Sequence, residues 1–157
     1  MVYLTAAISE PHLNWSDPMD SRQIGLIQDS WAQVTPLGVR FTRHFYDQLL
    51  SDNPELHALF PESMADQEQL LFRMINSAVS GMPSRQMFEG MMNRLGNRHQ
   101  EYGVNHEHFR VFGEALIATL ANSLGERWNP DLEAAWRDIY GSMAQMMQSN
   151  MDESQSQ

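Results

Sequence analysis

The chain has 157 residues, enough to bury one sizeable core, and 42% of them are apolar, as in an ordinary globular domain. A formal charge of −10, with no basic cluster, argues against nucleic acid or an anionic membrane as partner. The absence of Cys excludes disulfides, thiol nucleophiles and Cys-bound metals, and fits the cytoplasm as the expected location. No apolar run reaches the roughly 18 residues of a membrane span, and no signal peptide is expected at the N-terminus.

Residues 1–19, with Pro11 and Pro18, show no helical period and are expected to form an extension dispensable for the domain, unless Leu13 and Trp15 dock. Asp20 or Ser21 can cap a first helix with Ile24, Ile27, Trp31 and Val34 inward. Pro36 suits the first turn of a second helix, PLGVRFTRHFYDQLL, whose inner face holds Val39, Tyr46 and Leu49 or Leu50. A short turn, PELHALFP, follows. Asp66 can cap a helix to about Ser80, ended by Gly81 and Pro83. Further helices are expected over 85–102, ending at Gly103, and over 106–124, ending at Gly125. Asn129-Pro130 opens the last, with Leu132, Trp136, Ile139, Met143 and Met146 inward, before a polar, frayed tail from 151 to 157. No segment alternates with period two, so residues 20–150 read as one all-α domain.

Three polar residues fall on apolar stripes. Phe88, Met92, Leu95, His99 and Tyr102 are spaced 4, 3, 4 and 3, which turns His99 toward the core. Gln67 leads a stripe of Leu71, Met74 and Ala78, and Tyr46 shares an inner face with Val39. Each alone has an ordinary explanation: a core His bonded to a carbonyl, a Gln still reaching solvent, a Tyr with its hydroxyl at the edge. Three such groups on three helices of one small domain suggest an occupied interior cavity. No nucleophile elbow, zinc-protease, phosphate-loop or dinucleotide motif is present. His106 and His108 do not share a helix face and read as a solvated helix start; the twelve Met residues read as core filling.

LGNRHQEYGV, VFGEALIATLANSLGERWNP and AAWRDIYGSMAQMM resemble the second half of a globin, and IQDSWAQV, HFYDQLLSDNPELHALF and DQEQLLFRM the first. The likeness covers about residues 20–148 and is nearest to bacterial single-domain globins related to flavohaemoglobin haem domains, with neuroglobin-like features. It implies a globin fold of about six to eight helices around a haem b pocket. It also implies His99 as proximal iron ligand, with Phe60, Leu71, Tyr102 and Val104 against the haem, and Tyr46 and Gln67 as distal donors. The segment between Phe60 and Gln67 is shorter than in flavohaemoglobins, which keeps Asp66 and Glu68 open as register alternatives. Flavohaemoglobins carry a Tyr ten residues after the proximal His; Phe109 stands there and cannot donate that hydrogen bond.

The implied function is tight, reversible binding of dioxygen, with CO and NO as further ligands, by a monomer or homodimer. The alternatives are a nitric oxide dioxygenase served by a separate reductase, since no flavin or nicotinamide domain follows, and a gas sensor acting through a partner.

Overall fold

A computed structural model describes the backbone of residues 18–101 and 105–155 and the side chains of 21–95 and 105–148. Among the described residues six α-helices follow one another: α1 (Pro18–Val34), α2 (Val39–Asp52), α3 (Ala65–Gly81), α4 (Arg85–Glu101), α5 (His106–Leu124) and α6 (Pro130–Gln155). Single 3₁₀ segments at Thr35–Leu37, Pro54–Leu59 and Gly125–Arg127 join them, and no strand occurs among the described residues. The expected all-α, globin-like architecture is present. None of its helices is long and apolar enough to cross a membrane, among the described residues.

Four boundaries differ from the sequence expectation. α1 begins at Pro18, so Asp20 and Ser21 lie inside its first turns rather than capping it; a Pro there costs no hydrogen bond, because the first N–H groups of a helix have no partner. Pro36 sits in the 3₁₀ segment, and α2 starts only after Gly38. The backbone of Gly38 has φ +56° and ψ −134°, a region closed to side chains, and this breaks the helix that Pro36 seemed to open. Asp66 is likewise a first-turn residue of α3, whose N-cap is Met64 with no side-chain bond; its charge faces the positive helix end instead. The tail is helical through Gln155.

α5 starts as expected, and His106 and Glu107 are exposed. The exposed start carries a capping box: Asn105 Oδ1 accepts from the His108 backbone N–H (3.1 Å), and His108 Nδ1 accepts from the Asn105 N–H (3.0 Å).

The apolar stripes bury as spaced. Ile24, Ile27, Trp31 and Val34 of α1 meet Leu132, Trp136 and Ile139 of α6, and Phe88 and Met92 of α4 are fully enclosed. Trp31 lies edge-on to Phe41 with ring centres 5.4 Å apart. Buried indole N–H groups need partners. Trp31 Nε1 donates to Asn76 Oδ1 (3.0 Å), and Trp136 Nε1 donates to Ser30 Oγ (2.9 Å), tying α1 to α3 and α6. α4 packs against α6, and α2 packs against α3 and α5, leaving an apolar space between the two groups.

α5 and α6 approach closely at Gly113. A Cβ there would lie 2.6 Å from Cε2 of Tyr140. Tyr140 cannot swing away cheaply, because its hydroxyl donates to the Phe109 carbonyl at 2.6 Å. Gly113→Ala is therefore expected to destabilise by about 1–3 kcal/mol. Gly25→Ala, with nothing within 4 Å of the added carbon, is expected to stabilise by about 0.5–1 kcal/mol because Gly is costly inside a helix. Thermal unfolding of the two variants checks the opposite signs.

Candidate functional site

Between the helices lies a space walled by Phe45 of α2, Leu71, Met74, Ile75 and Ala78 of α3, Leu95 of α4, Phe109, Phe112 and Leu116 of α5, and Tyr140, Met143 and Met147 of α6. About 650 Å³ of it is free of protein atoms, part of it open to solvent, and water centres can occupy about 100 Å³. The walls are almost wholly apolar, as the walls of ligand pockets generally are.

Tyr46 and Gln67 meet behind the wall residues Phe45 and Leu71, and neither lines the space itself. Tyr46 is 5% exposed; its ring stands edge-on to Phe45 (5.0 Å) and to Phe60 (5.4 Å). Gln67 sits one turn before the cavity wall at Leu71, and its Nε2 donates to the Tyr46 hydroxyl at 3.4 Å. At that length the bond is weak. The phenol accepts there, and its own O–H has no acceptor among the described residues. Burial pushes the Tyr46 phenol up to about 12; the bond from Gln67 opposes that rise, and the charge of Glu68 adds to it. The group is thus a neutral hydroxyl with a proton to give.

The neighbours of Gln67 point elsewhere. Asp66 is exposed. Glu68 is 8% exposed and turns to α2, where Arg43 Nε stands 3.4 Å from Oε1 and Thr42 Oγ1 donates to the Glu68 backbone carbonyl at 2.8 Å. Of the three register alternatives, Gln67 is the one that reaches Tyr46.

Phe60 is half-buried between Tyr46 and Phe112, and stacks on Phe112 at 6.3 Å. Leu71 lines the cavity. The backbone of α4 carries His99 one turn beyond Leu95, on the register that buries Phe88 and Met92. The side chain of His99, and Tyr102 and Val104 altogether, lie outside the described residues. Phe109 is 3% exposed and lines the cavity.

Phe45, Phe112 and Leu116 were missed by the sequence reading. Phe45 could have been found from its spacing of four to both Phe41 and Leu49. Phe112 and Leu116 are hidden because α5 is apolar on more than one face, with Phe109, Ala115, Ile117 and Leu120 all buried.

A planar, apolar cofactor fits these walls better than a polar one. The side chains able to yield to it are Met74, Met143 and Met147, unbranched and adaptable. The Tyr46–Gln67 pair beside the wall holds donors of the kind that a polar gaseous ligand on a haem would accept from.

Comparison with known proteins agrees. A globin family profile matches residues 43–147. The flavohemoprotein of Bordetella pertussis is 30% identical over 113 residues, 70% of this chain, which spans only 28% of that protein's length. Neuroglobin of Danio rerio is 28% identical over 145 residues, 83% of this chain and 91% of that protein. A solved bacterial globin from Campylobacter jejuni superposes with a TM-score of 0.76 at 21% identity, over 87% of this chain and 99% of that one. The chain belongs to the globin family, and that membership supports haem as its cofactor and diatomic gases as its ligands.

Proposed function

We propose that the protein is a haem b globin that binds dioxygen reversibly and releases it slowly. The observation that carries this reading is the pair formed by buried Tyr46 and half-buried Gln67, which packs behind the cavity-wall residues Phe45 and Leu71. Haem, when bound, supplies an iron that takes up a diatomic gas. His99 would hold that iron from α4 through one ring nitrogen, with its other N–H fixed by a hydrogen bond. Phe60, Leu71, Tyr102 and Val104 would exclude water around the ring. Tyr46 O–H and Gln67 Nε2 would both donate to the gaseous ligand, and such bonds strengthen where water is absent. Two donors favour ligands that carry negative charge, dioxygen over carbon monoxide. Absorption spectra of the ferric and reduced protein, with and without each gas, test the assignment directly.

Dioxygenation of nitric oxide with a separate reductase uses the same residues, and the likeness to a flavohemoprotein haem domain favours it as second reading. Sustained nitrate formation with a cellular reductase, rather than a single turnover, would support it.

The reduced, gas-free protein is expected to be five-coordinate. Gln is a poor iron ligand, and neither His44 nor His57 is placed to compete: both are exposed, and neither lines the cavity. A low-spin six-coordinate spectrum of the reduced protein would overturn the distal assignment.

A further inference from the structure

A second cleft lies on the outer side of α2, where α2 meets α5. Its volume is about 400 Å³. Arg40, His44 and Gln48 line one wall, Thr119, Asn122 and Ser123 the other, and Leu37 closes one end. No carboxylate lines it, in a chain with twice as many acidic residues as basic ones. Arg40 has no ion pair among the described residues, whereas Arg22, Arg43, Arg85, Arg110 and Arg137 each face a carboxylate. Its Nε and one terminal nitrogen reach the Leu37 and Pro36 carbonyls at 3.3 and 3.5 Å, which anchors the guanidinium and leaves the other terminal nitrogen open.

The polar groups are arranged with a direction. Arg40 and His44, one turn apart, are donors at the Leu37 end. At the other end, Gln48 Nε2 donates to Asp52 Oδ2 (2.6 Å), so the amide oxygen of Gln48 is the atom left to accept. Thr119 Oγ1 donates to the Ala115 carbonyl (2.7 Å), and its oxygen also retains accepting capacity. A cleft that donates at one end and accepts at the other suits a molecule with an anionic head and hydroxyl groups behind it.

We propose that this cleft binds a small oxyanion bearing hydroxyl groups, a phosphate monoester or a hydroxycarboxylate, with the anion on Arg40 and His44 and the hydroxyls on Thr119 and Gln48. The site is separate from the apolar cavity, and the proposal stands without the haem reading.

Calorimetric titration of the haem-loaded protein at low ionic strength tests it, with glycerol 3-phosphate and glycerate as probes and glycerol and sodium chloride as controls. At least one of the two anionic probes should bind saturably at one site, and the stronger of them names the head group. Arg40→Gln should weaken it about tenfold or more, the loss expected for a charge-assisted hydrogen bond. Arg127→Gln, which removes an exposed cation joined only to Gln33 Oε1, should leave binding unchanged. Should Arg40→Gln fail to fold, His44→Gln takes its place with the same expected direction. Absence of saturable binding by both anions up to about 50 mM, equal heats from glycerol or chloride, or undiminished binding by the Arg40 variant would each overturn the proposal.

Discussion

His99→Gly is expected to lose stable haem, or to retain it only in the presence of added imidazole. The register of α4 puts residue 99 one turn past Leu95, a residue of the cavity wall, and on the proposed reading glycine would offer no atom to the iron. Among the described residues no histidine lines the cavity. The fold should suffer with the cofactor. A ligand present at a thousand times its dissociation constant stabilises the folded state by about 4 kcal/mol, and that contribution disappears when the ligand no longer binds. Haem content after purification and thermal unfolding with and without imidazole are the measurements. Normal haem content with an unchanged spectrum would remove His99 from the site.

Tyr46→Phe is expected to accelerate dioxygen release by about ten- to a hundredfold, with association little changed. The substitution keeps the ring against Phe45 and Phe60 and deletes only the hydroxyl. A hydrogen bond to a partly charged acceptor is worth about 1.5–3 kcal/mol, and about 1.4 kcal/mol is tenfold in an equilibrium constant. Gln67→Leu should act in the same direction but less, because an amide is the weaker acid. The double variant should fall short of the product of the two effects, since both donors share one acceptor and bond to each other. Carbon monoxide release should respond less than dioxygen release. The phenol is raised to about 12 by burial, so its proton remains in place as pH rises through neutrality to about 10. Release from the wild type should accordingly show no acceleration over that window from loss of the donor. Stopped-flow dissociation on the single and double variants decides the matter; a Tyr46→Phe rate equal to wild type would reduce Tyr46 to an ordinary core aromatic.

The helices were legible because their buried faces are written at helical spacing. The 3, 4, 3 run from Ile24 to Val34 and the run Phe88, Met92 appear in the structure as fully buried stripes. The pairing of Tyr46 with Gln67 was legible for a related reason: a Tyr and a Gln occupied positions where the pattern called for apolar groups, and the two are hydrogen-bonded to each other. Helix starts were harder to read. Asp20, Ser21 and Asp66 have the chemistry of caps, yet α1 and α3 begin ahead of them, because a capping residue competes with whatever the preceding chain can do. Pro36 misled for the opposite reason, since the decisive residue was Gly38, whose backbone angle no pattern of hydrophobicity reveals. The second cleft was invisible beforehand. Arg40, His44 and Gln48 recur every fourth residue on the exposed face of α2, and only the packing of α2 on α5 brings Thr119, Asn122 and Ser123 opposite them.

The two sides of the apolar cavity differ in what holds them. On the side of α2 and α3, Thr42 is bonded to the Glu68 carbonyl, Arg43 to the Glu68 carboxylate and Gln67 to Tyr46, three cross-links between the same two helices. On the side of α6, Tyr140 is held by its bond to the Phe109 carbonyl, whereas the unbranched Met143 and Met147 pack by dispersion alone. One jaw of the vice that these walls form is thus cross-linked, and the other yields only at its methionines. Under the proposed function, the cross-linked side would hold the donors before any cofactor arrives, so their placement would cost little at the moment of uptake, and adjustment to the ring's thickness would fall on the methionines. Discrimination between gases and accommodation of the cofactor would then belong to opposite walls, and sequence change among the methionines would retune the second while leaving the first intact.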